Sequence, residues 1–244
     1  MNKPDIVIDQ YTSDEFGLLG KQIKRFLELF HNPESLPYSP IVIAEIKRQR
    51  PITFMFETYI RNSYITNYGF SIITKELIDE LKEFIGDRKV LEVMGGNGYL
   101  SRCLHEAGVD IICTDTNEWA TSKKVSSRYQ NWVNTWYPIE QLDAVEAIEK
   151  HNDRDVVIMS WPPYSEPTDV SVLKQCLWRG KTLIYIGESE GGCTGTDQFF
   201  EIVDDLGDKG KVRHNLYSGT TFDMLQFFGM HDQVFYVEPI KEGE

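Results

Sequence analysis

The sequence predicts a doubly wound α/β fold with a mostly parallel sheet. Residues 90–93 are apolar, a glycine-rich turn follows at 95–98, and apolar residues then recur with the spacing of one helix face. Gly108 ends this helix, and a second apolar run at 109–114 leads to Asp115. A strand, a tight turn, a helix and a second strand form the βαβ unit that opens such a sheet.

The glycine-rich turn and Asp115 together indicate a ligand of the nucleoside type. Glycines let the backbone approach a ligand closely, and the free N–H groups at a helix start favour a carboxylate or a phosphate. Asp115 follows Gly98 by 17 residues, and a carboxylate at this spacing can accept hydrogen bonds from both ribose hydroxyls. The alternative is a plain turn with a solvated Asp115.

This stretch resembles the glycine motif of class I S-adenosylmethionine-dependent methyltransferases. Glu92, Gly96 and Gly98 fall on the pattern E-x-G-x-G-x-G, and Met94 stands where the first glycine usually lies. The resemblance implies that Glu92, the two glycines and Asp115 lie on the cofactor side, with S-adenosyl-L-methionine as the cofactor.

Later segments resemble the following motifs of the same family, in order. Asp143 and Ala144 precede a predicted helix, and DVVIMSWPPY covers residues 155–164. The WPPY form, followed by YIGE and GGCTG, is most similar to a little-characterised branch of methyltransferase-like proteins. The resemblance implies a Rossmann-like methyltransferase sheet with a C-terminal antiparallel hairpin and methyl transfer to an acceptor that it does not identify.

The resemblance also implies further residues on the cofactor side. An acidic residue at the position of Asp143 accepts the adenine amino group in that family, although Asp is equally suited to cap a helix. Trp119 is a candidate for adenine contact, and Tyr68, in the loop before the first helix of the core, is either a cofactor contact or a buried linker residue. The predicted cofactor side thus comprises Tyr68, Glu92, Gly96, Gly98, Asp115, Trp119, Asp143 and Ser160.

The WPPY turn is the predicted reaction centre, because it follows a buried strand at the carboxyl edge of the sheet. The two prolines fix the backbone, so carbonyls of the turn can face a ligand. Enzymes of the family that methylate amino groups of nucleic acids have Asn, Asp or Ser before these prolines, but here Trp161 stands there. An indole donates a hydrogen bond but cannot accept one, so Trp161 departs from the pattern of enzymes that methylate the amino groups of bases. It can instead stack on a planar substrate or on a methylsulfonium.

Tyr164 and Glu188 complete the predicted catalytic set with Trp161. Glu188 ends a further buried strand, ahead of a glycine loop at 191–195. Its carboxylate can take a proton from an incoming hydroxyl or amine, or it can anchor the loop by accepting backbone N–H groups.

Charge and composition narrow the function classes. A net charge of −13 over 244 residues argues against a general binder of nucleic acid or anionic membranes, and weakly favours a small-molecule or protein acceptor over duplex DNA. The four cysteines and five histidines lack metal-ligand spacing, so we expect a reduced, cytoplasmic protein without a metal site. No apolar run approaches the ~18 residues of a membrane span.

Two domains are predicted, a helical cap at 1–67 and an S-adenosylmethionine-binding domain at 68–244. Aromatic residues of the cap either pack on the α/β body or form a lid, a substrate wall or a dimer surface. Two other functions stay open: a cofactor-binding or interaction protein without methyl transfer, and a nicotinamide-dependent oxidoreductase.

Overall fold

The structure is a computed structural model that describes most of the predicted α/β domain. The described residues are 61–62, 64–65, 68–118, 135–208, 212–214 and 232–238. The predicted helical cap at 1–67 lies almost entirely outside them, as does Trp119, so both stay predictions.

Helices and strands alternate along the described chain, as the βαβ pattern predicts. The elements are α1 (Lys75–Ile85), β1 (Val90–Val93), α2 (Tyr99–Glu106), β2 (Ile111–Asp115), β3 (Ile139–Gln141), α3 (Ala144–Lys150), β4 (Val156–Ser160), α4 (Thr168–Arg179), β5 (Thr182–Glu188), α5 (Asp197–Asp208), β6 (Val212–His214) and β7 (Asp232–Val237). Within this part of the chain, no helix is long and apolar enough to cross a bilayer.

The strands form one sheet in the order β3-β2-β1-β4-β5-β7-β6. The first five strands in this order, β3, β2, β1, β4 and β5, pair in parallel. Strand β7 is antiparallel to both β5 and β6. The predicted doubly wound sheet with a C-terminal antiparallel hairpin is therefore confirmed.

The strand order reverses at β1, which pairs with β2 on one side and with β4 on the other. Ligands of open α/β sheets bind at such a reversal, outside the carboxyl ends of the strands. The turns after β1, β2 and β4 therefore form the expected ligand edge.

Each face of the sheet carries its own apolar core. On the first face, Val90, Ile158 and Ile186 pack with apolar residues of α1 and α2. On the second face, Leu91 and Val157 pack with α3, α4 and α5. Each core keeps one side of the sheet rigid, so the strand ends between them are held in fixed positions.

Strand alternation places a row of polar residues on the first face, at the carboxyl edge. Successive side chains of a strand point to opposite faces, so residues two apart share a face. Each polar residue of this row lies two positions from a member of the first apolar core in the same strand. The row consists of Glu92 in β1, Ser160 in β4, Glu188 in β5 and Asp232 in β7.

Candidate functional site

A cleft of about 610 Å³ lies at the carboxyl edge, where β1, β2 and β4 end. Its walls come from the turns after these strands, the start of α3 and the loop before α1. The cleft brings together seven of the predicted site residues: Tyr68, Glu92, Gly96, Asp115, Asp143, Ser160 and Trp161. Its volume lies in the range of small-molecule sites.

Three predicted site residues do not line this cleft. Gly98 instead caps α2 with a φ of 76°, and a Cβ there would lie 3.0 Å from the Tyr137 Cβ. Tyr164 is half exposed, at 50%. Glu188 is buried at the end of β5 and is not part of the cleft lining.

The turn after β1 has the backbone of a glycine motif even where a side chain is present. Met94 adopts a φ of 54°, in the left-handed region that glycine favours, and Gly96 follows with 56°. Gly95 must lack a side chain, because a Cβ there would lie 2.4 Å from the Cys113 Sγ. The turn therefore follows the course of the motif despite Met94.

Backbone strain concentrates along this edge. Among the described residues, the non-glycine positions with positive φ are Met94, Asn117 and Trp161. Met94 and Trp161 come directly after β1 and β4, and Asn117 lies two residues beyond β2. Such strain costs about 1–3 kcal/mol per residue and clusters at ligand sites, which supports a functional edge.

Asp115 holds the glycine turn in place. Its Oδ2 accepts from the Gly96 N–H at 2.8 Å, and its Oδ1 accepts from the Asn117 N–H at 2.7 Å. The carboxylate also lines the cleft, where a ribose hydroxyl is a donor of the kind that it accepts.

Glu92 is a buried carboxyl in the floor of the cleft. The Ser101 hydroxyl donates to its Oε2. Burial raises the pKa of Glu92 to about 7, against the opposing effect of hydrogen bonds from Ser101 and Cys113. Asp115 adds a smaller increase through charge repulsion. Near neutral pH this group is therefore only partly ionised, and an approaching cation would favour its carboxylate form.

The loop before α1 is fastened across the cleft. The hydroxyls of Ser71 and Ser160 lie 2.6 Å apart, which joins this loop to the end of β4. The Tyr68 ring stacks on Trp136 with centroids 5.4 Å apart, and it lies 4.8 Å from the Tyr99 ring. Tyr68 is thus a buried side chain that also lines the cleft.

Asp143 caps α3, as one of its two predicted roles requires. Its Oδ1 accepts from the Val145 N–H at 2.8 Å. The residue is exposed and lines the cleft, so its second oxygen is available to a ligand. The capping bond is compatible with a cofactor contact, which stays a prediction.

The WPPY turn differs from the prediction in one respect. The Pro162 carbonyl accepts from the Thr194 hydroxyl at 2.7 Å and from the Gly195 N–H at 3.2 Å. The expectation that the carbonyls of this turn face a ligand is therefore wrong for Pro162. The prolines and the following glycine loop instead brace each other, through a β-bridge between Pro163 and Thr194.

Trp161 and Phe70 both line the cleft. The two rings stack with centroids 5.3 Å apart and 10° between their planes. The Arg61 guanidinium lies 4.8 Å from the indole centroid. Protein groups thus use part of the indole surface, and stacking of Trp161 on a planar acceptor stays a prediction.

Glu188 contacts the glycine loop. Its Oε2 accepts from the Cys193 N–H at 2.5 Å, as the anchoring alternative expects. A second buried carboxylate, Asp169, accepts from the Thr196 N–H and hydroxyl at 2.5 and 3.1 Å. A catalytic role for Glu188 stays a prediction.

Asp232 is a polar residue of this edge that the sequence analysis did not find. It begins β7 and is the cross-strand partner of Glu188. Burial raises the pKa of Asp232 to about 7, and Glu188 adds to the rise, whereas Arg61 and the Trp161 indole N–H lower it. Finding Asp232 would have required the register of β7 against β5, and no local sequence pattern at 232–237 reveals that register.

Comparison with known proteins gives structural likenesses alone. No protein-family model matches the sequence, and no curated protein matches it. Solved structures are similar in architecture. They include an rRNA methylase from Streptococcus thermophilus, which is 15% identical with a TM-score of 0.39 over 68% of this chain and 95% of that one.

Two further structures are similar. The magnesium protoporphyrin IX methyltransferase from Synechocystis PCC 6803, solved with bound SAM, is 15% identical with a TM-score of 0.42 over 75% of this chain and 97% of that one. The ribosomal protein L11 methylase from Lactobacillus delbrueckii subsp. bulgaricus is 10% identical with a TM-score of 0.41 over 67% and 76%. These values are too low to assign an activity from likeness alone.

Proposed function

We propose that this chain is an S-adenosylmethionine-dependent methyltransferase. One observation carries the proposal: a single cleft holds a glycine turn after β1, an acid at the end of β2 that fixes this turn, and a polar residue at the end of β4. This arrangement fits a ligand with a ribose in its middle and charged or polar groups at both ends.

The residues of the cleft match the parts of S-adenosylmethionine. The Asp115 carboxylate lines the cleft and suits the ribose hydroxyls, and the exposed carboxylate of Asp143 suits the adenine amino group. Glu92 suits the ammonium of the amino-acid end, because a cation would offset the cost of ionising a buried carboxyl. Ser160 and Trp161 then border the methyl group.

The sulfonium supplies a methyl group that is already activated. The chain therefore has to hold the acceptor in line and exclude water, and it needs no catalytic dyad for activation of the donor. Strained, well-braced positions such as Trp161 serve this purpose, because rigid walls keep the reacting groups aligned.

We propose a small molecule or a protein side chain as the acceptor, in preference to duplex DNA. The net charge of −13 opposes binding to a phosphate backbone. Trp161 also lacks the acceptor atom that would hold the amino group of a flipped base.

Titration calorimetry with S-adenosylmethionine, S-adenosylhomocysteine and NAD tests this proposal. We expect binding of the first two ligands and none of NAD. Asp115→Ala removes two possible ribose contacts and should weaken binding by at least about tenfold, since each hydrogen bond to a charged group contributes about 1.5–3 kcal/mol. The control is Asp204→Ala, at an exposed position of α5.

The outcomes separate the competing functions. Binding of NAD alone would indicate an oxidoreductase. Binding of S-adenosylmethionine without formation of S-adenosylhomocysteine over a broad acceptor panel would indicate a cofactor binder that does not transfer methyl groups.

A further inference from the structure

The charged side chains that line the cleft all have the same sign within the described part of the chain. Five acidic residues line it: Glu92, Asp115, Glu118, Asp143 and Glu166. Carboxylates that share a cleft with walls of low dielectric add to one negative potential, which attracts cations and repels anions. The cleft therefore selects its ligands by charge as well as by shape.

The acidic residues lie on both sides of the strand-order reversal at β1. Asp115 ends β2, Glu118 follows it, and Asp143 follows β3, so these three belong to the half of the edge formed by β2 and β3. Glu166 follows β4, which pairs with the opposite side of β1. Under the proposed function, the adenosyl group of the donor occupies the first half, and the β4 half is left for the acceptor.

The β4 half combines an aromatic wall with a carboxylate. The rings of Phe70 and Trp161 stack there with centroids 5.3 Å apart, and both residues line the cleft. Glu166 lines the same cleft and is exposed, with Pro163 and Thr168 on either side of it in the chain and also in the lining. An acceptor in this half therefore meets an apolar surface and a negative charge.

The Arg61 guanidinium is a cation close to this half, but its charge acts outside the cleft lining. It lies 4.8 Å from the Trp161 ring centroid, and Arg61 itself is not a lining residue. Its positive charge lowers the pKa of Asp232, which is the cross-strand partner of Glu188. Arg61 is thus opposed by carboxyl groups on its own side, and the acidic lining keeps its negative potential.

The donor does not neutralise the cleft either. S-Adenosylmethionine carries a sulfonium, an ammonium and a carboxylate, so it brings a single net positive charge. Asp and Glu side chains are ordinarily ionised at neutral pH, and several of them line the cleft. An acceptor that enters beside the bound donor therefore still meets a negative potential.

We propose, on the basis of the methyltransferase function above, that the acceptor is an organic ammonium compound and that Glu166 is the residue that selects it. The ammonium pairs with the Glu166 carboxylate, and the apolar part of the compound lies against the wall of Phe70 and Trp161. Phosphorylated and carboxylated acceptors are repelled by the same charge. This selection acts on binding and does not depend on which atom of the acceptor receives the methyl group.

Fluorine NMR with three ligands of similar shape tests the selection on the wild-type chain saturated with S-adenosylhomocysteine. At neutral pH, 4-fluorobenzylamine is a cation, 4-fluorobenzyl alcohol is neutral and 4-fluorobenzoate is an anion. We expect the amine to bind with a Kd of about 1 mM and the benzoate at least about tenfold more weakly, with the alcohol between them. Raising the salt concentration from about 0.05 M to about 0.5 M should reduce this difference, because salt screens exposed charges.

Substitutions at Glu166 test the named residue. Glu166→Gln should weaken binding of the amine about threefold and strengthen binding of the benzoate about threefold, which is the size of one exposed ion pair, and it should leave the alcohol nearly unchanged. Glu166→Lys should reverse the preference, so that the benzoate binds more tightly than the amine. Glu190→Gln is the matched control, because it removes the same charge from an exposed residue outside the cleft lining, and it should leave all three affinities nearly unchanged.

The ammonium can belong to a small molecule or to a lysine side chain of a protein. Competition with Nα-acetyl-lysine amide separates these two sources. Displacement of 4-fluorobenzylamine at a similar concentration would indicate a lysine side chain, and no displacement would indicate a small aromatic amine.

The possible failures are distinguishable. Binding of the benzoate as tight as that of the amine, no binding of the amine at about 10 mM, or equal effects of Glu166→Gln and Glu190→Gln would each overturn the selection by charge while S-adenosylhomocysteine still binds. Failure to bind S-adenosylhomocysteine would instead overturn the methyltransferase function.

Discussion

Replacement of Glu92 by Gln should change the pH dependence of stability. The carboxyl is 2% exposed, and its pKa is raised from 4.5 to about 7. The folded state therefore holds a proton more tightly than the unfolded state does. The resulting stabilisation is fully present below the unfolded pKa and is lost as pH rises through the folded pKa.

The size of the effect follows from the two pKa values. Each tenfold difference in proton affinity corresponds to about 1.4 kcal/mol, so the full change is about 3 kcal/mol. About 2.5 kcal/mol of this falls between pH 5 and pH 8. Gln at position 92 cannot ionise and can still accept the Ser101 hydrogen bond.

Urea unfolding of both proteins at pH 5 and pH 8 measures this effect. We expect the free energy of unfolding of Glu92→Gln, relative to wild type, to rise by about 2.5 kcal/mol between the two pH values. Any packing cost of the amide is shared by both pH values and cancels. Glu190→Gln, at an exposed residue, is the control and should show no such change. If the difference in free energy of unfolding between Glu92→Gln and wild type is the same at both pH values within about 0.5 kcal/mol, the raised pKa of the buried Glu92 carboxyl is refuted.

Three further substitutions test the braces of the site. Gly95→Ala should lower the free energy of unfolding in urea by about 2 kcal/mol or more, because its Cβ would lie 2.4 Å from the Cys113 Sγ. Addition of Cys113→Ala should recover part of this loss, and strictly additive effects of the two substitutions would contradict the clash. Met94→Gly should be more stable than Met94→Ala by about 0.5–1 kcal/mol in the same assay, since the backbone φ is 54°; equal stability would argue against the left-handed turn. Asp169→Ala leaves the Thr196 donors unpaired, so it should lower the free energy of unfolding by about 2–3 kcal/mol. Hydrogen exchange at the Thr196 amide should also become faster, and unchanged exchange would show that the glycine loop is held elsewhere.

Local patterns predicted the fold because each βαβ signal lies within a short stretch of chain. The apolar runs, the glycine turn and Gly108 mark β1, α2 and β2 without reference to distant residues. The antiparallel edge was expected from the family resemblance, and the pairing of β7 with β5 and β6 confirms it.

The grouping of strand-end residues in the cleft could be predicted for the same reason. Glu92, Gly96 and Asp115 are tied to strand ends, and strand ends of a parallel sheet meet at one edge. The sequence spacing was therefore enough to predict that these residues lie close together.

The position of Asp232 and the contacts of the WPPY turn could not be predicted, because they depend on strand register and on long-range contacts. Asp232 faces Glu188 through the register of two antiparallel strands. The Pro162 carbonyl is used by a loop more than 30 residues later, where the hydrogen bond from Thr194 spans 32 positions. Neither contact leaves a periodic pattern in the chain.

A crystal structure of the complex with S-adenosylhomocysteine tests the central assignment most directly. We expect the ribose hydroxyls on the Asp115 carboxylate and the amino group of the ligand toward Glu92, with the sulfur near Ser160 and Trp161. A ligand bound outside the cleft at the ends of β1, β2 and β4, or no bound ligand at saturating concentration, would contradict the assignment.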